Sequence, residues 1–348
     1  MEEGRARAIP IDIVKQETST PGQAPRTTED GAATQGAHTE LLARLERAIQ
    51  SVIRGKDEAI RLALVTLFAR GHLLIEDVPG VGKTTLAHAL ARSFNCRFHR
   101  IQFTSDMLPA DVVGISIYSQ QTHCFEVLPG PVFANIVLAD EINRTTPKTQ
   151  SALLEAMNEY QVTVDNQTHV LPQPFMVIAT QNPIEHHGTY PLPESQLDRF
   201  LMRLRMGYPA PESEREILRN FADTEPLERV EPVTTAEEVV EIQHAVRQVS
   251  VDDALVSYAL SIVDQTRRHE HLSLGVSPRG SMSLYRAAQA LAMIEGRLYC
   301  IPDDFKRLVL PLFAHRCVVN TRYASTLKKG EQAEAILREI IEATPVPL

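Results

Sequence analysis

The run His72-Leu73-Leu74-Ile75-Glu76-Asp77-Val78-Pro79-Gly80-Val81-Gly82-Lys83-Thr84-Thr85-Leu86-Ala87-His88-Ala89-Leu90 constrains the fold more than any other part of the chain. An apolar strand enters a turn with two glycines, and the turn opens a helix. That order aims several backbone N–H groups at one point, with the positive end of a helix dipole behind them. Such a cradle suits a polyphosphate. Pro79, Gly80, Val81, Gly82, Lys83, Thr84 and Thr85 would line it. Lys83 would reach the β- and γ-phosphates of ATP, and the Thr84 hydroxyl would ligate Mg²⁺. One position departs from the general pattern GxxxxGK[ST]: Asp77 stands where glycine is expected. An acid there can bond local N–H groups with its side chain turned away from phosphate.

The rest of the chain supplies the setting. Short apolar runs recur at 72–76, 98–103, 136–139, 175–180 and 201–206, with helix-periodic stretches near 83–94, 147–160 and 194–200. Strand and helix in alternation predict an α/β parallel sheet covered on both faces. Two alternating segments, 115–128 and 161–171, read as inserted hairpins. Helices are expected at 41–52 and 57–69, and after Pro209 near 212–222, 235–248, 252–270, 280–296, 302–313 and 330–343. At roughly 150 residues per domain, 348 residues imply about two domains. The boundary is placed near 208, giving an α/β core (37–208) and a helical lid (209–348). Residues 1–36 hold no Leu, Phe, Tyr or Trp. So little apolar surface cannot offset ordering entropy, and a disordered tail is expected there.

A nucleotide hydrolase also needs an acidic site. Ile136-Val137-Leu138-Ala139 ends in Asp140-Glu141. Asp140 would orient Mg²⁺ or its waters, and Glu141 would polarise the attacking water as general base. Asn182 follows another buried run, where its amide could hold that water or sense the γ-phosphate. Arg199, in Gln196-Leu197-Asp198-Arg199-Phe200, and Arg279, in Ser277-Pro278-Arg279, are candidates for stabilising transition-state charge. An Arg more often ends in a surface ion pair, and spacing alone leaves that open.

Together these residues resemble the AAA+ ATPases, and within them the MoxR family. The resemblance runs from about 41 to 343. It includes Glu76 to Thr84, Leu128-Pro129-Gly130-Pro131, Ala139 to Arg144, Gln150 to Met157, Ala179 to Pro183, Gly188 to Phe200 and Ser277-Pro278-Arg279. It implies a five-stranded parallel P-loop core with two inserted hairpins, a helical lid, and ATP between core and lid. By position Asn182 is similar to sensor 1, Arg279 to sensor 2, and Arg199 to an arginine finger acting on a neighbouring subunit. Val52 to Gly55 stands where such proteins hold adenine. The resemblance also implies a homo-oligomer, usually a hexameric ring. It implies a von Willebrand factor A-type or other client partner whose maturation the motor assists. Two rival readings share the motor: a metal-chelatase subunit and a ring ATPase acting on nucleic acid.

Composition narrows these. No run of 18 apolar residues offers a membrane span. Met1 to Arg7 carries acids and no apolar core of a secretory signal, so a cytoplasmic protein is expected. The net charge of −9, from 35 basic and 44 acidic side chains, lacks the footprint of a bulk nucleic-acid binder. The tips Gln120-Gln121-Thr122-His123 and Asp165-Asn166-Gln167-Thr168 carry no Lys or Arg. Cys96, Cys124, Cys300 and Cys317 lack metal or redox spacing. Glu185-His186-His187 and His269-Glu270-His271 read as solvated polar segments rather than ligand sets.

Overall fold

The computed structural model describes residues 28–121, 123–182, 188–220, 230–320 and 326–347. From the first of these the chain forms α1 (Thr28–Gln50), α2 (Asp57–Phe68), β1 (Leu73–Glu76), α3 (Lys83–Ser93), β2 (Phe98–Gln102) and the short α4 (Pro109–Val113). A hairpin follows, β3 (Gly114–Ser119) and β4 (Cys124–Pro129), then β5 (Ile136–Asp140) and α5 (Pro147–Glu159). The second hairpin, β6 (Gln161–Val164) and β7 (Gln167–Val170), precedes β8 (Met176–Gln181), α6 (Glu194–Leu197) and β9 (Met202–Leu204). Beyond β9 lie α7 (Pro211–Asn220), α8 (Ala236–Val246), α9 (Asp253–Arg268), β10 (Leu272–Leu274), α10 (Pro278–Ile294), α11 (Pro302–Phe313), β11 (Val318–Val319) and α12 (Thr326–Ala343).

The five apolar runs make one parallel sheet, in the order β2-β5-β8-β1-β9. Its inner strands are buried on both faces, which is why they read as continuous apolar text. The pleat then divides them. Leu73, Ile75, Ile136, Leu138, Met176 and Ile178 enter one core with α1, α2, α3 and the lid helices. Leu74, Val137, Ala139, Val177 and Ala179 enter a second, with Leu153, Leu154 and Met157 of α5 and Phe200. The lid therefore shares a continuous core with one face of the sheet.

Both hairpins form, antiparallel, at the expected places. At the base of the first, a Cβ on Gly114 would strike the backbone of Leu128 to Gly130, and one on Gly130 would strike Val112 and Gly114. That crossing accounts for the glycine in Leu128-Pro129-Gly130-Pro131.

Three details differ from the sequence reading. First, α1 begins at Thr28, so residues 28–36, read as tail, are helical; Ala32 and Ala33 are strong helix formers, and the segment extends an already nucleated helix. Residues 1–27 lie outside the described residues. Second, the helix expected over 194–200 ends at Leu197, because the carbonyls of Asp198, Phe200 and Leu201 accept from the Arg316 guanidinium instead of from helix N–H groups. Third, the lid holds a small ribbon, β10 with β11, whose strands are too short to show a period.

Just before β1, the buried His72 ties three elements together. Its Nδ1 accepts from the Val177 N–H at 3.0 Å, so Nε2 carries the proton and donates to the Met157 carbonyl at 2.8 Å. Burial pushes its pKa down to about 4, partly opposed by the Met157 carbonyl and helped by the Arg279 charge. The unfolded chain takes up this proton near pH 6.5, and the fold resists until about 4. Stability present above pH 6.5 is therefore lost as the pH falls through that window, by about 3 kcal/mol. Denaturant unfolding between pH 7 and 4 should show a shallower loss in a His72→Gln variant than in the wild type; equal slopes would mean His72 does not titrate this way.

Candidate functional site

The phosphate loop joins β1 to α3. Gly80 and Gly82 have φ of 85° and 91°, a region L side chains rarely enter, and nothing stands within 4 Å of where a Gly80 Cβ would point. Gly82 is the N-cap of α3 and leaves its first turn without a side-chain cap, so the N–H groups opening at Lys83, Thr84 and Thr85 face an open cradle. Lys83 Nζ donates to the Asp77 carbonyl at 2.8 Å. Burial lowers its pKa, opposed by the charges of Asp140, Asp77 and Glu141. Those three acids favour the charged ammonium at the loop against the cost of burial. The Asp77 carboxylate turns away from the cradle. It accepts from the Val78 N–H at 2.9 Å and the Gly207 N–H at 2.5 Å, fastening the loop to the segment that leads into the lid.

The second cluster ends β5 and β8, beside the loop. Thr180 donates to Asp140 Oδ1 at 2.6 Å, and the same hydroxyl accepts from the Glu141 N–H at 2.9 Å. Glu141 has φ of 56°, a strained conformation for a non-glycine residue that this pair of bonds holds in place. Its Oε2 receives Gln102 Nε2 at 3.0 Å and Arg144 Nε at 2.9 Å. Arg100 pairs with Asp140 Oδ2 at 2.6 Å. Asn182 lies buried one residue beyond β8, and β8 separates β1 from β5. Lys83, Thr84, Asp140, Glu141 and Asn182 thus share the carboxyl edge of the sheet, where α/β folds place ligands. Donor chemistry fits a nucleotide with Mg²⁺: an uncapped helix end, an ammonium, a hydroxyl and a carboxylate. Sequence reasoning missed the roles of Arg100 and Gln102, which carry no motif, and of Arg144 and Thr180, which lie inside matched stretches but give no sign of the partners they meet.

The base side is less enclosed. Val52 is buried in the core, while Gly55, with φ of 67°, abuts Ser213 in the first turn of α7. Lys56 Nζ donates to the Tyr208 carbonyl at 2.7 Å. α7 therefore borders the Val52–Gly55 loop.

The arginines lie elsewhere. Leu201 N–H bonds the His72 carbonyl, so Arg199 sits at the amino end of β9 and β1, opposite the phosphate loop. Arg279 joins it there. Its Nη2 donates to Asn158 near the end of α5 at 2.6 Å, and its charge acts on His72, Tyr160 and Arg316. Within one chain Arg279 does not reach the phosphate loop, because α10 packs at the other end of the sheet. Among the described residues the Arg199 guanidinium makes no hydrogen bond or ion pair. Arg203 and Arg205, in contrast, are engaged: Arg203 bridges Glu76 and Glu334 at 3.0 and 3.1 Å, and Arg205 approaches Glu334 at 3.8 Å. Among the described residues no three His, Cys, Asp or Glu side chains cluster as for a metal. Glu185-His186-His187 lies outside the described residues.

A parallel P-loop sheet with an acid pair beside the loop and a helical lid defines an AAA+ ATPase core. Comparison agrees: residues 72–202 match the ATPase family associated with various cellular activities (AAA), and 264–340 match the AAA lid domain. YeaC, an uncharacterised protein of Bacillus subtilis, is 51% identical over 88% of this chain and 95% of its own. The chaperone MoxR1 of Mycobacterium tuberculosis is 39% identical over 93% of this chain and 86% of its own. A solved structure of a proposed ATPase from Cytophaga hutchinsonii superposes with a TM-score of 0.84 at 34% identity, covering 92% of this chain and 99% of that one. The chain belongs to the MoxR family of AAA+ ATPases. No described helix is long and apolar enough to cross a membrane.

The Arg100–Asp140 pair makes a prediction. A guanidinium 2.6 Å from Asp140 Oδ2 competes with a divalent cation for that carboxylate. Arg100→Ala should lower the Mg²⁺ concentration for half-maximal ATPase activity severalfold; an unchanged or higher requirement would mean Arg100 assists the metal.

Proposed function

We propose that the chain is a Mg²⁺-dependent ATPase that hydrolyses ATP between neighbouring copies of itself in a ring, a hexamer, and uses that cycle to remodel protein partners. The core to residue 208 carries the nucleotide and the lid from 209 carries Arg279. Val52 and Gly55 border the base. The loop from Pro79 to Thr85, with Lys83, holds the polyphosphate. Thr84 and Asp140 would hold Mg²⁺, which when bound neutralises charge on the β- and γ-phosphoryl oxygens. Glu141 takes the proton of the attacking water, and Asn182 orients that water. A second copy supplies Arg199 and Arg279 to the charge that develops on the γ-phosphoryl group.

The observation that carries this reading is the separation of the two sets. Phosphate-binding residues and arginines occupy opposite edges of one sheet, so a complete site needs two chains. A head-to-tail contact repeated in this way makes a ring where its rotation closes, and the hexamer is the closure proposed. The described residues at the two hairpin tips lack Lys and Arg, and the first hairpin exposes Ile117, Tyr118 and Phe125, a surface suited to protein rather than to nucleic acid. With the name of MoxR1, this favours a chaperone-like role in the cytoplasm. A von Willebrand factor A-type protein is the partner we expect.

Arg199→Ala should retain ATP binding and lose turnover by about three orders of magnitude or more, the scale of a lost arginine finger. Full turnover in that variant would transfer the role to another residue. Glu141→Gln should bind ATP and hold it unhydrolysed, and affinity capture with that variant should retrieve the partner. Recovery of only the same chain would count against partner remodelling.

A further inference from the structure

Arg316, between α11 and β11, has a side chain only 2% exposed, and its guanidinium is spent on the turn around Arg199. Nε donates to Asp198 Oδ1 at 2.8 Å. Nη2 donates to the carbonyls of Asp198 at 3.3 Å and Phe200 at 2.6 Å, and Nη1 to that of Leu201 at 3.0 Å and to that of Leu312. The two residues flanking Arg199 are thus both gripped by one lid side chain. His315 adds a contact from Nε2 to the Phe200 carbonyl at 3.1 Å.

The same cluster flanks Arg279. Ser277 Oγ donates to the Asp198 carboxylate at 3.1–3.2 Å while accepting from the Gly280 N–H as the N-cap of α10. At Gly280 a Cβ would lie 3.2 Å from Arg316 Cδ, so the glycine lets α10 sit close on that side chain. Arg279 stands between Ser277 and Gly280. One ion pair, buried Arg316 with the half-buried Asp198, therefore sets the backbone on both sides of each arginine.

Stability alone is a weak reason for such a pair. Desolvating two charges costs about as much as their attraction returns, and apolar packing of equal volume serves as well. What a guanidinium adds is a planar fork that fixes direction, here toward a carboxylate and four carbonyls. We propose that Arg316, through Asp198 and Ser277, is the positioning residue that sets Arg199 and Arg279 jointly for the nucleotide of a neighbouring copy. This rests on the reading that both arginines act between chains.

Trans-complementation tests it. Full-length Arg316→Lys should assemble and bind ATP like the wild type, with KM within about twofold and kcat reduced about 10- to 100-fold, the scale of a small misplacement. Asp198→Asn should do the same and decides the matter if the lysine variant fails to assemble. Each is then mixed with Lys83→Ala subunits, which lack a working phosphate loop but present intact arginines. Activity should return, with about one interface in four competent in an equimolar random mixture. A parallel mixture of Arg199→Ala with Lys83→Ala identifies which claim fails. If that mixture recovers and the Arg316 and Asp198 variants do not, the cluster acts on its own chain's site or only on folding, and the inference is overturned. If no mixture recovers, action between chains is itself wrong, and the inference falls with it.

Discussion

A parallel sheet has two unlike ends, and in this protein the phosphate loop and the two arginines, Arg199 and Arg279, stand at opposite ones. All five strands run one way, so every backbone turn after a carboxyl terminus opens on the same edge. There the loop after β1, the acids after β5 and Asn182 after β8 converge without any further device. At the amino edge there is no such cradle, only the turn before β9 and the lid helix that packs against it. β1 spans four residues, and at about 3.3 Å each that alone keeps the arginines some 10 Å or more from the loop. No rotamer of Arg199 bridges this through a packed core. On the proposed roles of the two arginines, a second chain is called for by strand direction alone, before any interface is considered.

The lid reaches both edges. At the carboxyl edge Arg203, 9% exposed, joins Glu76, the last residue before the loop, to Glu334 of α12. At the amino edge Arg316 and Ser277 hold Asp198. Between them the apolar core passes without a break from α1 and α2 into α10 and α11. A lid fastened in this manner works as a brace along the sheet more than as a cover over a cleft. The segment from Gly188 to Phe200, the most distinctive text in the chain, makes the same journey: the Tyr190 N–H bonds the carbonyl of Asn143, close behind Glu141, and ten residues later the chain is at the other edge with Phe200 under Arg316.

What could be read before folding was whatever depends on local order. Buried strands announce themselves as apolar runs, the phosphate loop as a spacing, the acid pair as a strand end. Contacts between strands have no such signature. Arg100 and Asp140, or Thr180 and Asp140, are each 40 positions apart and meet only because β5 lies between β2 and β8. Arg316 looks like one more basic residue near the end of a helix until the turn it grips is in view. The direction in which Arg279 points was illegible for the same reason: its motif names a residue type, while its location depends on how α10 packs. The tail boundary was misjudged differently, since apolar content predicts burial and residues 28–36 are helical without it.

Asp77 shows how a departure from a motif can be informative. A glycine at the head of a phosphate loop is useful where the backbone must enter a left-handed conformation, and Asp77 is not among the residues with positive φ. With no conformational reason for glycine, the position is free to carry a side chain. The carboxylate it carries receives Val78 and Gly207 N–H groups, while its carbonyl receives Lys83. One residue therefore holds the turn, the lysine and the strand that leads out to the lid. A glycine would leave the Val78 and Gly207 donors to water and cost more entropy to order. Where the nucleotide loop meets the path to the lid, the acid fastens together parts that a more permissive residue would leave independent.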